Sequence, residues 1–418
     1  MEFSVENIDE ISAGMLEKVL LTAQDYEERR NPVVESSEYA YRTTNLVQID
    51  GVGVKHAGKH IRQKLLVESY TPRTWRTHSL HICPPEPYDP EDPLTKSVLD
   101  WIFLISCLNF SFWSEKEGTS ERYGVEWRAG WNSKEKKIWT GYWSLVAALD
   151  RALEEGVPIT DPQFYSSETL CPDRLIEHIF RKANGSTEDI PLLQERIAIM
   201  REVGFILCNG FCGSFKGFLD EFQRQHSGQG TSLDLVKMVT RTFPSFQDEV
   251  YYEGRKVCLW KRAQILVAET WAAFYPASSD SPHPIFPGPR GPEISRLTMF
   301  ADYRVPQILH HLHIITYPAS LLQKLHSHTP FPPGCKEEVS LRSASIIAVE
   351  RVREEILRLI KEEGGDSDAA SEAGVVSSVL IDFYLWDLAK KIESGEEKIE
   401  GIETAAIVPI HRTRSIWY

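Results

Sequence analysis

One carboxylate inside an apolar run is the first candidate for chemistry in this sequence. Asp302 lies in segment 297–312, which is otherwise rich in apolar and aromatic residues and continues into a helical pattern. A buried, unpaired carboxylate is desolvated at a cost of several kcal/mol, or else it becomes protonated. The residues alone leave two alternatives open. Asp302 pairs with Arg304 or caps a helix that Pro306 starts, or it is a catalytic carboxylate.

Two further acids flank an aromatic segment near the end of the chain. Asp382 and Asp387 lie on either side of Phe-Tyr-Leu-Trp at 383–386. On a helix, this separation points the two side chains about 140° apart. They face one pocket only where a helix end or a kink presents them differently. The alternative is that one is a helix cap or first-turn acid and the other a surface charge.

Several cations are candidates for binding a phosphate group. Lys261 begins the segment Lys-Arg-Ala-Gln-Ile-Leu at 261–266, which is predicted to be an apolar helix. Its ammonium group suits a phosphate or a salt bridge with Asp302. Arg262 and Arg304 are competing phosphate ligands, and spacing does not choose among the three.

A metal site is not expected. His310 and His313 are spaced as a metal pair on a helix, but no carboxylate is placed to complete a ligand set.

The elements that must position these residues are predicted to be helices. Apolar residues recur at helical spacing and strand alternation is scarce, which favours a mostly α fold with minor short β pieces. Proline-rich segment 275–292 reads as a surface insertion, and acidic segment 364–371 as a flexible loop. Helices are predicted over 8–30, 98–113, 144–153, 192–211, 233–239, 261–273, 337–363 and 375–392.

Composition limits the partners. The chain has 418 residues with 46 Lys and Arg against 60 Asp and Glu, a net charge of −14. Such a charge repels a nucleic-acid backbone, so we expect no direct nucleic-acid partner, although a small nucleotide remains compatible. The longest apolar run, 101–113, is too short to span a bilayer. The first residues show no secretory pattern, which predicts a cytoplasmic location, with the nucleus as the alternative.

Four segments together closely resemble one family. They are Leu-Asn-Phe-Ser-Phe-Trp at 108–113, the segment at 261–266, Phe-Ala-Asp-Tyr-Arg-Val-Pro-Gln at 300–307 and Asp-Phe-Tyr-Leu-Trp-Asp at 382–387. The family is that of the queuosine-salvage proteins, the queuosine 5'-phosphate N-glycosylases (hydrolases), and the resemblance runs from about residue 10 to the C-terminus.

The resemblance implies a fold and an activity. It implies one compact helical body over 1–418, similar to helix-hairpin-helix DNA glycosylases. It implies hydrolysis of queuosine 5'-phosphate to queuine and ribose 5-phosphate, without metal or organic cofactor. It does not predict an oligomeric state.

The resemblance also assigns roles to residues. Asp302 is the expected catalyst, and Phe300 a stacking platform for the base. His81 resembles a ligand-contacting histidine, with His78 as the fallback because the local spacing differs. The resemblance further implies contacts of Asp382, Phe383 and Asp387 with the base. Lys261 is also an expected substrate contact, because of its place on an apolar helix.

Two other functions are weighed. One is a DNA glycosylase for modified bases, suggested only by the expected fold. The other is a non-catalytic protein that binds a deazapurine nucleoside.

Overall fold

The computed structural model describes residues 31–67, 70–278, 281–363, 376–394 and 402–418. Helices dominate the described residues, as predicted. In chain order they are α1 Pro32–Thr44, α2 Gly51–Arg62, α3 Pro93–Leu108, α4 Tyr142–Glu154, α5 Pro162–Tyr165, α6 Asp173–Ile179, α7 Leu193–Gly210, α8 Phe215–Gln225, α9 Ser232–Thr242, α10 Lys261–Ala273, α11 Val305–His311, α12 Ala319–His326, α13 Lys336–Glu363 and α14 Ser378–Ser394.

Strands are short and form only antiparallel pairs in the described ranges. β2 (Gly124–Arg128) and β3 (Lys136–Thr140) form a hairpin, as do β4 (Glu249–Tyr252) and β5 (Arg255–Cys258). β1 (Gln48–Ile49) pairs with the distant β6 (Ile315–Thr316). The prediction of a mostly α fold with minor β pieces is confirmed. The similarity to helix-hairpin-helix DNA glycosylases and the single-body domain assignment stay predictions.

The apolar helix predicted over 98–113 is shifted toward the N-terminus. It begins at Pro93, because Asp92 accepts a hydrogen bond from the N–H of Leu94 and proline suits the first turn. It ends at Leu108, where the buried Arg196 guanidinium binds the carbonyls of Leu108 and Phe110. The aromatic segment 109–113 therefore leaves the helix and is free to line a cavity.

Helix α10 lies in the centre of the core. Every residue from Lys261 to Ala273 is buried, and the helix packs against α3, α9 and the 3-10 turn Pro72–Thr77. A helix that is buried on all sides must place its polar side chains against partners or in a cavity.

Some predicted segments fall wholly or partly outside the description. The predicted helix 8–30 and the acidic loop 364–371 lie outside the described residues. The insertion 275–292 is described except for 279–280, and its described part has bends and one short bridge between His283 and Phe286. No single described helix has the length and apolar character of a membrane span; α7 and α8 meet that test only as a bent pair, by length and composition.

Candidate active site

A cavity of about 480 Å³ lies between α10, α14, the N-terminus of α4 and the segment before α11. All seven residues predicted from the sequence line it: His81, Lys261, Phe300, Asp302, Asp382, Phe383 and Asp387. The structure thus brings together side chains that are more than 300 positions apart in sequence. Their roles in substrate binding and catalysis stay predictions.

Asp302 is both a helix cap and a wall of the cavity. Its Oδ1 accepts hydrogen bonds from the N–H groups of Arg304 (2.8 Å) and Val305 (2.9 Å), at the start of α11, whose first turn contains Pro306. The side chain is 9% exposed, and no described residue is a hydrogen-bond partner of Oδ2. The two alternatives left open by the sequence are therefore compatible, because one oxygen holds the backbone while the other is available to a ligand.

The predicted helical face does not extend over all of 297–312. Only Val305–His311 is helical, whereas the chain from Leu297 to Asp302 is irregular. The reason is a tertiary contact: Phe300 donates its backbone N–H to Oδ1 of Asp382 (3.0 Å), which takes that N–H out of any helix. This bond also links the base-contacting candidates to each other.

The Arg304 guanidinium does not pair with Asp302. It pairs with Glu117 and with Glu393, the latter at 2.9 Å. The alternative in which Asp302 pairs with Arg304 is therefore wrong, because the Arg304 backbone N–H, and not its guanidinium, reaches the Asp302 carboxylate.

Three cations, Arg122, Arg304 and Lys390, lie close together in the cavity lining. Lys390 pairs with Glu393 at 3.0 Å and Arg122 with Glu117 at 3.5 Å, beside Arg304. A side chain at Gly141 would come within 3.6 Å of Arg122 and 3.9 Å of Lys390, so both cations border that glycine. Burial and the Arg304 charge lower the pKa of Lys390. The cluster therefore holds three positive and two negative groups, an excess of one positive charge that suits an anion.

Lys261 lies in the cavity wall near two of the acids. Its Nζ donates to the backbone carbonyl and side-chain oxygen of Asn109, at 3.2 and 3.4 Å. Burial lowers the pKa of Lys261 to about 8, against the opposing influence of Asp302 and Asp382. Among the described residues, no ion pair within 4 Å joins Lys261 to Asp302. Lys261 is thus close enough to influence the carboxylates without neutralising one of them.

A buried ion pair between Arg342 and Asp248 connects the segment before α11 with the start of α10. Arg342 binds both oxygens of Asp248 (3.0 and 2.5 Å) and donates from Nε to the carbonyl of Ala301 (2.8 Å), next to Asp302. Asp248 also accepts the backbone N–H of Lys261 (3.1 Å). The pair therefore fixes the start of α10 relative to the catalytic candidate.

Helix α14 faces the cavity with a broad arc of side chains. Asp382 and Asp387 both line the cavity although α14 is continuous, and Phe383, Trp386 and Lys390 lie between them on the arc. The expectation that only a helix end or a kink could bring both side chains to one cavity is wrong. An arc of about 140° is one side of a helix, and the cavity wraps around that side.

The two acids of α14 have different partners. Burial, and then the negative charge of Asp302, raise the pKa of Asp382 well above its usual range. Asp387 accepts a hydrogen bond from the Tyr70 hydroxyl at 2.5 Å, and burial raises its pKa as well. The cavity therefore contains carboxyl groups of unequal acidity, an arrangement typical of acid and base pairs in enzymes.

Histidines and tryptophans form the opposite wall. The His81 ring stacks on Trp75 with centroids 4.1 Å apart, and its Nδ1 is 2.6 Å from the Trp75 carbonyl. A carbonyl only accepts, so Nδ1 carries the proton; burial lowers the pKa of His81 to about 3, which leaves Nε2 as an acceptor. His78 stacks on Trp143 at 3.5 Å, and its Nδ1 accepts from the N–H of Leu80. Both histidines line the cavity.

Arg262 and His310, considered from the sequence as a phosphate ligand and a metal ligand, do not line the cavity. Arg262 is fully buried outside the cavity lining, where it donates to the carbonyls of Cys107 and Ser245. Its prediction as a phosphate ligand is wrong. His310 stacks on Tyr317, and no group of three metal-ligating side chains occurs in the described part of the chain.

Sequence reasoning missed several lining residues. Glu269 lies two turns beyond Lys261 on α10, with Ile265 between them, so helical spacing from Lys261 could have found it. Arg122 and Lys390 carried no local signal, because they meet only through the fold.

The fold and the cavity define a class of protein: a mostly helical body with a cavity of buried carboxyls and aromatic rings, suited to a small, charged, ring-bearing ligand. The comparisons give the family. A family model described as Queuosine salvage protein matches residues 88–418, and the chain belongs to this family.

Its relatives are similar over almost their whole length. The chain is 37% identical to "Queuosine 5'-phosphate N-glycosylase/hydrolase" of Schizosaccharomyces pombe, over 92% of this chain and 99% of that protein. It is 35% identical to the protein of that name in Mus musculus, over 92% and 98%. It is 32% identical to the protein of that name in Sphaerobacter thermophilus, over 89% of this chain and 94% of that protein. The resemblance stated from four segments is confirmed.

Proposed function

We propose that this protein hydrolyses the N-glycosidic bond of queuosine 5'-phosphate and releases queuine for salvage into tRNA. The observation that carries the proposal is Asp302, whose Oδ2 has no partner among the described residues and borders a cavity lined by aromatic rings and other acids. The names of the relatives give the substrate. Because the similarity covers nearly the whole chain, it supports assigning the same substrate to this protein. Neither a DNA glycosylase nor a non-catalytic binding protein has such support.

The reaction needs a carboxylate near the anomeric carbon. When the bond from C1' to the base nitrogen breaks, its electron pair leaves with the base and positive charge develops on the ribose. Asp302 stabilises that charge through its carboxylate. Water then supplies the oxygen that bonds to C1', and its proton ends on the departing base.

Queuine is a 7-deazaguanine with an aminomethyl-cyclopentenediol arm, which carries a cationic secondary amine. Its ring has no N7 to protonate. Help for the leaving group must therefore come from elsewhere on the ring. Burial and the charge of Asp302 raise the pKa of Asp382, which favours its protonated form, and that form can donate a hydrogen bond to the base. Phe300 and Phe383, with ring centroids 6.0 Å apart, supply apolar surface for its faces.

The phosphate is proposed to bind at the cluster of Arg122, Arg304 and Lys390. Of the three candidates that the sequence left open, this proposal keeps Arg304 and leaves out Lys261 and Arg262. The cluster has an excess of one positive charge beside Gly141, where the glycine leaves room for a bulky anion. Lys261 lies instead against Asn109, in the part of the wall that Asp302 and Asp382 share.

One experiment tests the proposal. The purified chain is incubated with queuosine 5'-phosphate, queuosine and guanosine 5'-phosphate, and free base is measured by chromatography. We expect queuine from the first, much less from the second and no guanine from the third. Absence of queuine from all samples would refute the proposed hydrolysis, and bound but uncleaved nucleotide would then favour a binding protein. Tight, salt-sensitive binding of duplex DNA would instead favour a DNA glycosylase.

A further inference from the structure

Glu269 is a buried acid in the cavity wall with no assigned role. It is 9% exposed and lies on the face of α10 that also carries Lys261 and Ile265. Its Oε1 accepts a hydrogen bond from the Tyr142 hydroxyl at 3.3 Å. No described residue is a hydrogen-bond partner of Oε2. A carboxylate that is nine-tenths buried with one neutral donor is left under-compensated, since burial of a charge is costly unless it is paired.

The cations of the cavity do not compensate it. Arg122, Arg304 and Lys390 are paired with other glutamates, and Lys261 donates to Asn109. Within the described ranges, no Lys, Arg or His lies at ion-pair distance from Glu269. Burial raises the pKa of Glu269 to about 7, while Tyr142 and the more distant Lys261 lower it. Glu269 can therefore accept a positive charge that the described residues do not provide.

The surroundings of Glu269 suit an organic cation. Tyr142 is in edge contact with Trp143 and with Trp386, at centroid distances of 4.9 and 5.9 Å, and the two tryptophans are 5.8 Å apart. All three rings line the cavity. Aromatic faces attract ammonium groups that have given up part of their water, so rings beside a carboxylate favour an alkylammonium over a metal ion.

We propose that Glu269, held by Tyr142, binds the secondary ammonium group on the arm of the queuine base and so selects the modified base over a plain deazaguanine. The inference rests on the proposed function for the substrate but not on the cleavage step. A base without the arm has no cation to offer, and it leaves Glu269 in its under-compensated state. Glu269 is therefore a specificity-determining residue, whereas Asp302 is the catalytic one.

The test measures binding of free bases, which does not depend on turnover. Dissociation constants of queuine and 7-deazaguanine are determined by calorimetry for the wild type and for Glu269→Gln, which keeps the shape and the acceptor for Tyr142. We expect queuine to bind about 10-fold to 100-fold more weakly to the variant, the range for loss of a charge-assisted hydrogen bond. The constant for 7-deazaguanine should change less than about 3-fold.

Two further variants keep the test decisive. Glu269→Asp retains the charge and should recover part of the queuine affinity. Asp387→Asn removes the other tyrosine-bound acid of the cavity and should weaken both bases by similar factors. If Glu269→Gln does not fold, Tyr142→Phe replaces it and should weaken queuine selectively, because loss of the Tyr142 hydrogen bond favours the neutral acid, which attracts a cation less.

The outcomes separate this inference from the proposed function. Equal affinities of Glu269→Gln and wild type for queuine, or a selective loss in Asp387→Asn instead, would overturn the role of Glu269 even when wild type cleaves queuosine 5'-phosphate. A wild type that binds queuine selectively through Glu269 but releases no base from the nucleotide would refute the hydrolysis and keep the inference.

Discussion

Replacing Asp302 by Asn separates the two roles of this side chain. Oδ1 caps α11 by accepting two backbone N–H groups, and the oxygen of an asparagine can accept the same bonds. Asn and Asp are nearly equivalent as helix caps. Asp302→Asn therefore removes the negative charge but leaves the local structure intact. Asp302→Ala removes both the charge and the cap.

Loss of the charge and loss of the cap are expected to change different quantities, namely kcat and folding stability. Loss of a preorganised charge at a developing cation is worth about 3 to 4 kcal/mol, or about 10²-fold to 10³-fold in kcat. Loss of a cap costs about 1 kcal/mol of folding stability. We expect Asp302→Asn to lose at least about 100-fold in kcat with an unchanged midpoint of thermal unfolding. Asp302→Ala should lose as much activity and also unfold at a lower temperature.

The assay is release of queuine from saturating queuosine 5'-phosphate, measured by chromatography, with unfolding followed by circular dichroism. Binding of queuine to both variants, measured by calorimetry, shows that the cavity is intact. If Asp302→Asn retains kcat within about 3-fold of wild type, the carboxylate is only a cap and the catalytic assignment is refuted. The same conclusion follows if both variants lose activity only in proportion to their loss of folded protein.

Three other perturbations test separate parts of the site. Arg122→Met and Lys390→Met should each raise KM for queuosine 5'-phosphate by about 10-fold or more and leave KM for queuosine nearly unchanged, in steady-state kinetics on both substrates; equal effects on the two substrates would contradict the phosphate site. Burial lowers the pKa of Lys261 to about 8, so its positive charge is present below that pH and lost above it. We therefore expect kcat/KM to fall as pH rises through about 8, and Lys261→Met should lack this limb of the profile. Arg342→Met leaves Asp248 buried without its partner and should destabilise the fold by about 3 to 5 kcal/mol in urea unfolding; a loss below about 1 kcal/mol would show that the pair is replaceable.

The sequence predicted the helices and the central carboxylate because both have local signals. Periodic apolar residues identified α10 and α14, and an acid within an apolar run identified Asp302. A local pattern could not show where α3 ends, because Arg196, about 90 positions away, binds the carbonyls of Leu108 and Phe110.

The cations of the site illustrate the same limit. Arg262 and Lys261 are adjacent in sequence and equally plausible as phosphate ligands, yet α10 turns them to different sides. Arg262 is enclosed by the carbonyls of Cys107 and Ser245. Arg122 follows no recognisable motif and reaches the cavity through tertiary packing alone.

The acids of the cavity are distinguished by their partners. Within the described residues, Asp302 has two backbone N–H donors on Oδ1 and no hydrogen-bond partner on Oδ2. Asp382 has one backbone donor and the charge of Asp302 nearby, which raises its pKa well above the usual range. For Glu269, the hydrogen-bond donor that the described part of the chain supplies is the Tyr142 hydroxyl. Because the surroundings of these carboxyl groups differ, we propose different tasks for them: Asp302 facing the developing positive charge of the ribose, Asp382 donating a hydrogen bond, and Glu269 binding the cationic group of the substrate. Exchanging two of these side chains without their partners would therefore not preserve activity, although the set of residue types in the cavity would be the same.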